Sequence, residues 1–152
     1  MKIVFIFLIS LVFFIGCAEK NAFSRFNMDK QQELSANSIQ SSKIKAGNFV
    51  EGVVSVVYLN EVYPKSLDEN ENFYVFTYVK DKNTRLKFLL NNIQASSIKI
   101  LKAENAFTYL TSIDAKWNHY YLVQFPKQKD ILTFVLESGQ SSSDPLVFEK
   151  DE

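Results

Sequence analysis

Two residues of this chain that can do chemistry occur only once, Cys17 and His119. A thiol can act as nucleophile, disulfide half, metal ligand or acylation site. With no second cysteine an intramolecular disulfide is excluded. One cysteine and one histidine also fall short of the donor set of a structural zinc site. His119 stands between Trp117 and Tyr121, where an imidazole could serve as a general base or a ligand. A lone strand histidine is more often a packing or surface residue, and no G-x-S-x-G elbow or phosphate-cradling glycine loop accompanies it. Asp68, Glu69 and Glu71 form an acidic stretch without the glycine and ligand spacing of an EF-hand loop. We therefore expect no catalytic residue, no metal and no enzyme. The aromatic residues offer more. Tyr74, Phe76 and Tyr78 recur at period 2 and so share one face of a strand; Trp117, His119 and Tyr121 share another. Tyr and Trp are favoured interface anchors, which makes these six a candidate binding patch. The competing reading places them in a core.

Cys17 closes a distinctive stretch. Lys2 gives a positive start, residues 3–15 are apolar apart from Ser10, and Gly16-Cys17 is followed by the polar Ala18-Glu19-Lys20. Charged, greasy and small-residue regions in that order predict a secretory signal, with an apolar run short for a membrane span. Phe14-Ile15-Gly16-Cys17 resembles the lipobox of bacterial lipoproteins. The resemblance implies cleavage before Cys17, diacylation of its thiol, usually acylation of the new amino terminus (palmitate is the expected label), and attachment to a membrane. Residues 1–16 would be the signal peptide and the covalent lipid the only cofactor. In lipoprotein sorting an Asp after the cysteine favours the inner membrane; Ala18 stands there, which implies the outer membrane.

The 17 basic and 17 acidic residues balance, which argues against an electrostatic nucleic-acid binder. Fourteen Phe and seven Tyr against four Gly and three Pro favour strands.

To place the candidate residues, the chain divides into a lipidated N-terminus and tether at 17–46 and a folded domain at 47–152. The polar tether has room for a turn or two of helix at 28–34. Residues 48–60 carry apolar side chains on both faces and predict a central strand. Residues 73–80 alternate cleanly and are expected to pair, through a turn at 81–84, with 85–90. Residues 96–103 and 106–113 read as strands. Residues 117–125 are expected to form a second hairpin with 131–137, and 138–143 a flexible loop. Pro145 confines 146–148 to an edge. About seven to eight strands with no convincing helix predict an all-β antiparallel β-sandwich, immunoglobulin-like and without its disulfide.

That architecture and the lipobox together resemble the small immunoglobulin-like surface lipoproteins of Campylobacter-type bacteria. The resemblance implies an outer-membrane location and a part in host-cell adhesion. The leading expectation is a non-enzymatic anchored β-sandwich that binds a protein or glycan. Two alternatives stand beside it: a periplasm-facing accessory in envelope assembly, acting by strand addition or an aromatic groove, and a lipid carrier with an apolar cavity.

Overall fold

The computed structural model describes residues 28–67, 69–111, 113, 115–129 and 131–150. The expected signal peptide, Cys17 and the first part of the tether lie outside the described residues, as does Asp68.

The fold is all-β and antiparallel, as the composition predicts. After helix α1 (Lys30–Ser38) come β1 (Gln40–Ala46), β2 (Phe49–Tyr58), the single turn α2 (Leu59–Val62) and β3 (Asn70–Val79). Then follow β4 (Leu86–Leu90), β5 (Ile93–Gln94), β6 (Ser97–Leu101), a 3₁₀ turn (Thr108–Leu110), β7 (His119–Pro126), β8 (Ile131–Ser138), β9 (Ser141–Ser143) and β10 (Leu146–Glu149). These ten strands form one ladder, β5-β4-β8-β9-β1-β2-β3-β7-β6, with β10 added beside β8. The ladder is thus continuous, with more strands than expected, and it curls so that its two halves face each other. The ends of the path, β5 and β6, are consecutive in sequence. The Ala95 N–H donates to the Phe88 carbonyl at 3.1 Å, and the next N–H, Ser96, donates to Gln124 at 2.8 Å. One peptide therefore switches partners from β4 to β7 and turns the corner of the sheet.

The interior is filled by Val54, Val56 and Tyr58 of β2, Phe73 and Val75 of β3, and Val123 and Phe125 of β7. Against them pack Phe88, Leu132, Phe134 and Phe148 from the opposite half. Phe73 meets four rings at centroid distances of 5.0 to 5.8 Å, so the centre of the core is aromatic. The other face of β2, β3 and β7 is apolar too, because a second layer covers it. Val57, Tyr74 and Tyr120 pack there with Leu59, Val62 and Leu110, and Leu34 and Ile39 add to the cluster from α1 and its end.

Several expectations are corrected. The boundary at 47 is too late: β1 lies between β2 and β9, and its Ile44 is completely buried. The short helix expected near 28–34 exists and is longer, started by a capping box. Asp29 Oδ1 accepts the Gln32 N–H at 2.8 Å, and Gln32 Oε1 accepts the Asp29 N–H at 2.9 Å. Neither predicted hairpin forms. β3 is already paired with β2 on one edge and β7 on the other, so residues 86–90 cross over and pair with β8. β7 is likewise occupied by β3 and β6, leaving no edge for β8. The described residues of the expected strand at 106–113 form none; they carry the 3₁₀ turn across the cover layer. The expected loop at 138–143 is a tight reversal at Gly139 (φ 62°) that opens β9. The run after Pro145 does sit at an edge, with β8 its one strand partner among the described residues.

Two tight turns were missed. Asn91 and Asn92 both have positive φ, 49° and 65°, which joins β4 to β5 in the two-residue manner that asparagine tolerates. Gly47, at φ 57°, does the same between β1 and β2.

Candidate functional site

The cover layer stops part-way along β2 and β3, and the candidate site lies where it ends. Two cross-strand pairs form the floor, Ser55 with Phe76 and Val53 with Tyr78. Ile113, Trp117 and Asn118 form the wall, and the whole encloses an open groove of about 610 Å³. The lining is mostly apolar. Ser55 supplies a hydroxyl, already bonded to the Ser41 hydroxyl across β1 at 2.7 Å, and Asn118 supplies an amide.

The wall is held in place by a buried phenol. Tyr120 points to the same face as Phe76, its cross-strand partner, and its ring is 6.3 Å from that of Phe76. Its hydroxyl donates to the Ala115 carbonyl at 3.1 Å and accepts the Ala115 N–H at 3.2 Å. The Asn118 N–H closes the turn on the same carbonyl at 2.9 Å. Trp117 is the crest of this pinned turn and is 69% exposed.

The six aromatic and histidine positions singled out by pattern are therefore divided. Phe76, Tyr78 and Trp117 meet in the groove. Tyr74, Phe76 and Tyr78 do share a face, but that face runs from covered to open. Tyr74 is fully buried among Phe76, Phe107 and Tyr120, while Tyr78 is 40% exposed. Trp117 does not share a face with His119 and Tyr121, because β7 begins at His119 and the turn before it redirects the indole. Tyr121 turns toward the interior and packs on Phe88 at 5.2 Å, where burial pushes its phenol above the ordinary range. His119 is exposed on that same opposite side. Val53, Ile113 and Tyr120 were missed. Tyr120 carries no signal apart from its alternation with Tyr121, and Ile113 reaches the groove only through the path of the loop.

Glu71 belongs to a different place. It is completely buried at one end of the interior. Its carboxylate accepts the Tyr58 hydroxyl at 2.6 Å, the Gln128 N–H at 2.8 Å and the Lys150 ammonium at 2.5 Å. Burial pushes the carboxyl up, but these donors outweigh it and hold it below the ordinary glutamate value. The residue ties Lys150, just after β10, and the segment at Gln128 to the sheet.

Among the described residues no three His, Cys, Asp or Glu side chains are placed to hold a metal ion, and no helix is long and apolar enough to cross a membrane. Compared with protein-family models, curated proteins and solved structures, the chain matches none. The groove's chemistry therefore stands on its geometry: apolar and planar surfaces suited to contact, with a few polar atoms at the rim.

Proposed function

We propose that this chain is a lipid-anchored binding protein of the bacterial outer membrane, attached through Cys17, that holds a protein or glycan of a host cell in the groove over Val53, Tyr78, Ile113 and Trp117. Trp117 carries the reading. A turn pinned from below by Tyr120 holds that indole in water beside three other exposed apolar side chains. Clustered exposed apolar surface of this kind marks interaction sites, and rigid Trp and Tyr rings supply most of the affinity where they are buried by a partner. The lipobox-like Phe14-Ile15-Gly16-Cys17 supports the anchor, and Ala18 supports the outer membrane.

The test measures retention of beads coated with the full chain on host epithelial cells. Trp117→Ala and Tyr78→Ala are each expected to weaken binding about tenfold or more, roughly 1.4 kcal/mol, with melting temperatures within a few degrees of the parent. Unchanged retention by both variants would remove the groove from the function. Protease shaving of intact cells supplies the second arm: digestion places the domain outside, and protection until the outer membrane is opened removes adhesion.

A further inference from the structure

The curled sheet is left unstitched along one seam. β6 pairs with β7 on one edge, and its other edge has no ladder partner among the described residues. β4 pairs with β5 only through Leu89 and Leu90; below them its edge toward β6 carries the Ala95 bond to Phe88 and no further strand. From the corner at 95–96 the two strands part. A cleft of about 240 Å³ opens between them, walled by Leu86, Phe88 and Ile98. Ile98 and Ile100 stand opposite Val123 and Tyr121 and so alternate toward the interior side of the sheet. They are nevertheless 47% and 76% exposed, because among the described residues no strand lies beyond β6 to cover them. Natural edges are usually guarded by proline, bulges or several charges. Within Ser97–Leu101 the only guard is Lys99.

We propose that this seam receives an extended segment of a partner protein, added as a strand along β6, in which apolar residues alternate with acidic ones. Side chains at period 2 from such a segment would lie beside Ile98 and Ile100 and close the interior. The charge at the seam selects the intervening positions. Arg85 and Lys87 line the cleft, Lys99 lies in β6 and Lys102 just beyond it. Lys87 is answered by Glu137 at 3.2 Å; for Arg85, Lys99 and Lys102 no ion pair is formed among the described residues, although Asp81 lies shortly before Arg85 and Glu104 shortly after Lys102. A second copy of this chain is a poor occupant, because pairing β6 with itself would bring Lys99 against a strand that also carries a lysine, and like charges across strands destabilise. The site is separate from the aromatic groove, which lies on the opposite face of the sheet, and does not rest on that reading.

Fluorescence anisotropy of the full chain with an eight-residue peptide alternating isoleucine and glutamate tests this. Saturable binding is expected, falling as salt is raised. Hydrogen exchange should show new protection of amides within Ser97–Leu101. Methylating alternate peptide amides, which blocks strand pairing, should weaken binding about tenfold or more, and so should the double variant Lys99→Glu with Lys102→Glu. Both lysines are exposed, so that variant should keep its melting temperature and its fold. Failure to bind, binding indifferent to amide methylation, or equal binding of a peptide alternating isoleucine and lysine would each overturn the proposal. So would a dimer of this chain crosslinked through β6.

Discussion

At the scale of single residues, the arrangement depends on polar groups placed where the apolar packing ends. Gln40 is one: its side-chain amide donates to the Val147 carbonyl and accepts the Val147 N–H, acting as a one-residue strand between β1 and β10. Asn91 does the same to β8, with its amide bonded to Ile131 and Thr133 at 3.1 and 2.9 Å. Glu71 carries the largest stake, since its charge is wholly out of water. Breaking a fully buried ion pair costs about 3–5 kcal/mol. Lys150 keeps 21% of its side chain exposed, so Glu71→Gln is expected at the lower end of that range, measured by urea unfolding at neutral pH. The pH dependence follows from the lowered folded value of this carboxyl. Its contribution is complete above the unfolded value, roughly 4.3, and is lost as pH falls through the folded one. Stability of the parent should therefore drop on acidification below about pH 5, and Glu71→Gln should flatten that drop. An identical acid slope in the variant would assign the dependence to other carboxylates.

At the scale of elements, β2 is the strand most sensitive to change near the groove. The β1–β2 register shifts between Ile44 and Lys45, leaving Glu51 as the extra residue beside Gly52. A Cβ on Gly52 would sit 2.3 Å from the Tyr78 carbonyl oxygen, so Gly52→Ala must push β3 away at the position of a groove residue. We expect a loss of about 1–3 kcal/mol, the usual range for overpacking, together with a changed environment for Trp117 in its fluorescence. A variant as stable as the parent would mean that the bulge absorbs the methyl group. The elements also show what could be read in advance. The faces of β2 and β3 were legible because each strand alternates cleanly and both faces are apolar, Phe73 and Val75 inward, Tyr74 and Phe76 outward. Their partners were not. Asp81 does form a local turn, accepting the Thr84 hydroxyl at 2.6 Å and the Asn83 N–H at 3.0 Å, but a turn signal specifies a bend and says nothing of which edge is vacant. With β2 and β7 already on β3, the returning chain had to go elsewhere. The groove was half legible for the same reason: Phe76 and Tyr78 follow from alternation, and Trp117 stands out by residue type although it arrives by a turn and not on a strand face, whereas Val53 is open only because the cover layer ends and Ile113 arrives by a loop.

At the scale of the whole molecule, the order of the ladder decides where the domain begins. Among the described residues β1 is the first strand in sequence, yet it sits in the middle of the path, joining β9 to β2. Seven of its residues pair with β2, and Ile44 enters the core with no exposure. Ser42 also anchors the far end of the chain, its hydroxyl accepting the Asp144 N–H at 3.0 Å, while Lys45 meets Asp144 at 2.9 Å. Composition hides this, because Gln40–Ala46 is mostly Gln, Ser and Lys around one large apolar residue, Ile44, and reads as linker. A fragment of residues 47–152 would lack that strand, exposing the edges of β2 and β9 and removing the joint between the two halves of the sheet. It would also lose α1, whose Leu34 helps cover the outer face of β3. We expect such a fragment to be insoluble or to melt without a cooperative transition. A fragment of residues 28–152, which keeps α1 with its capping box, should unfold in one cooperative step. The comparison is made by calorimetry and by circular dichroism of the two purified fragments. Cooperative melting of 47–152 at a similar temperature would mean that the two halves hold together through their aromatic core alone, with β1 an ornament on the ladder. The continuous pairing from β9 through β1 to β2 argues the other way, since a sheet curled on itself has no second connection at that point to take over when the strand is gone.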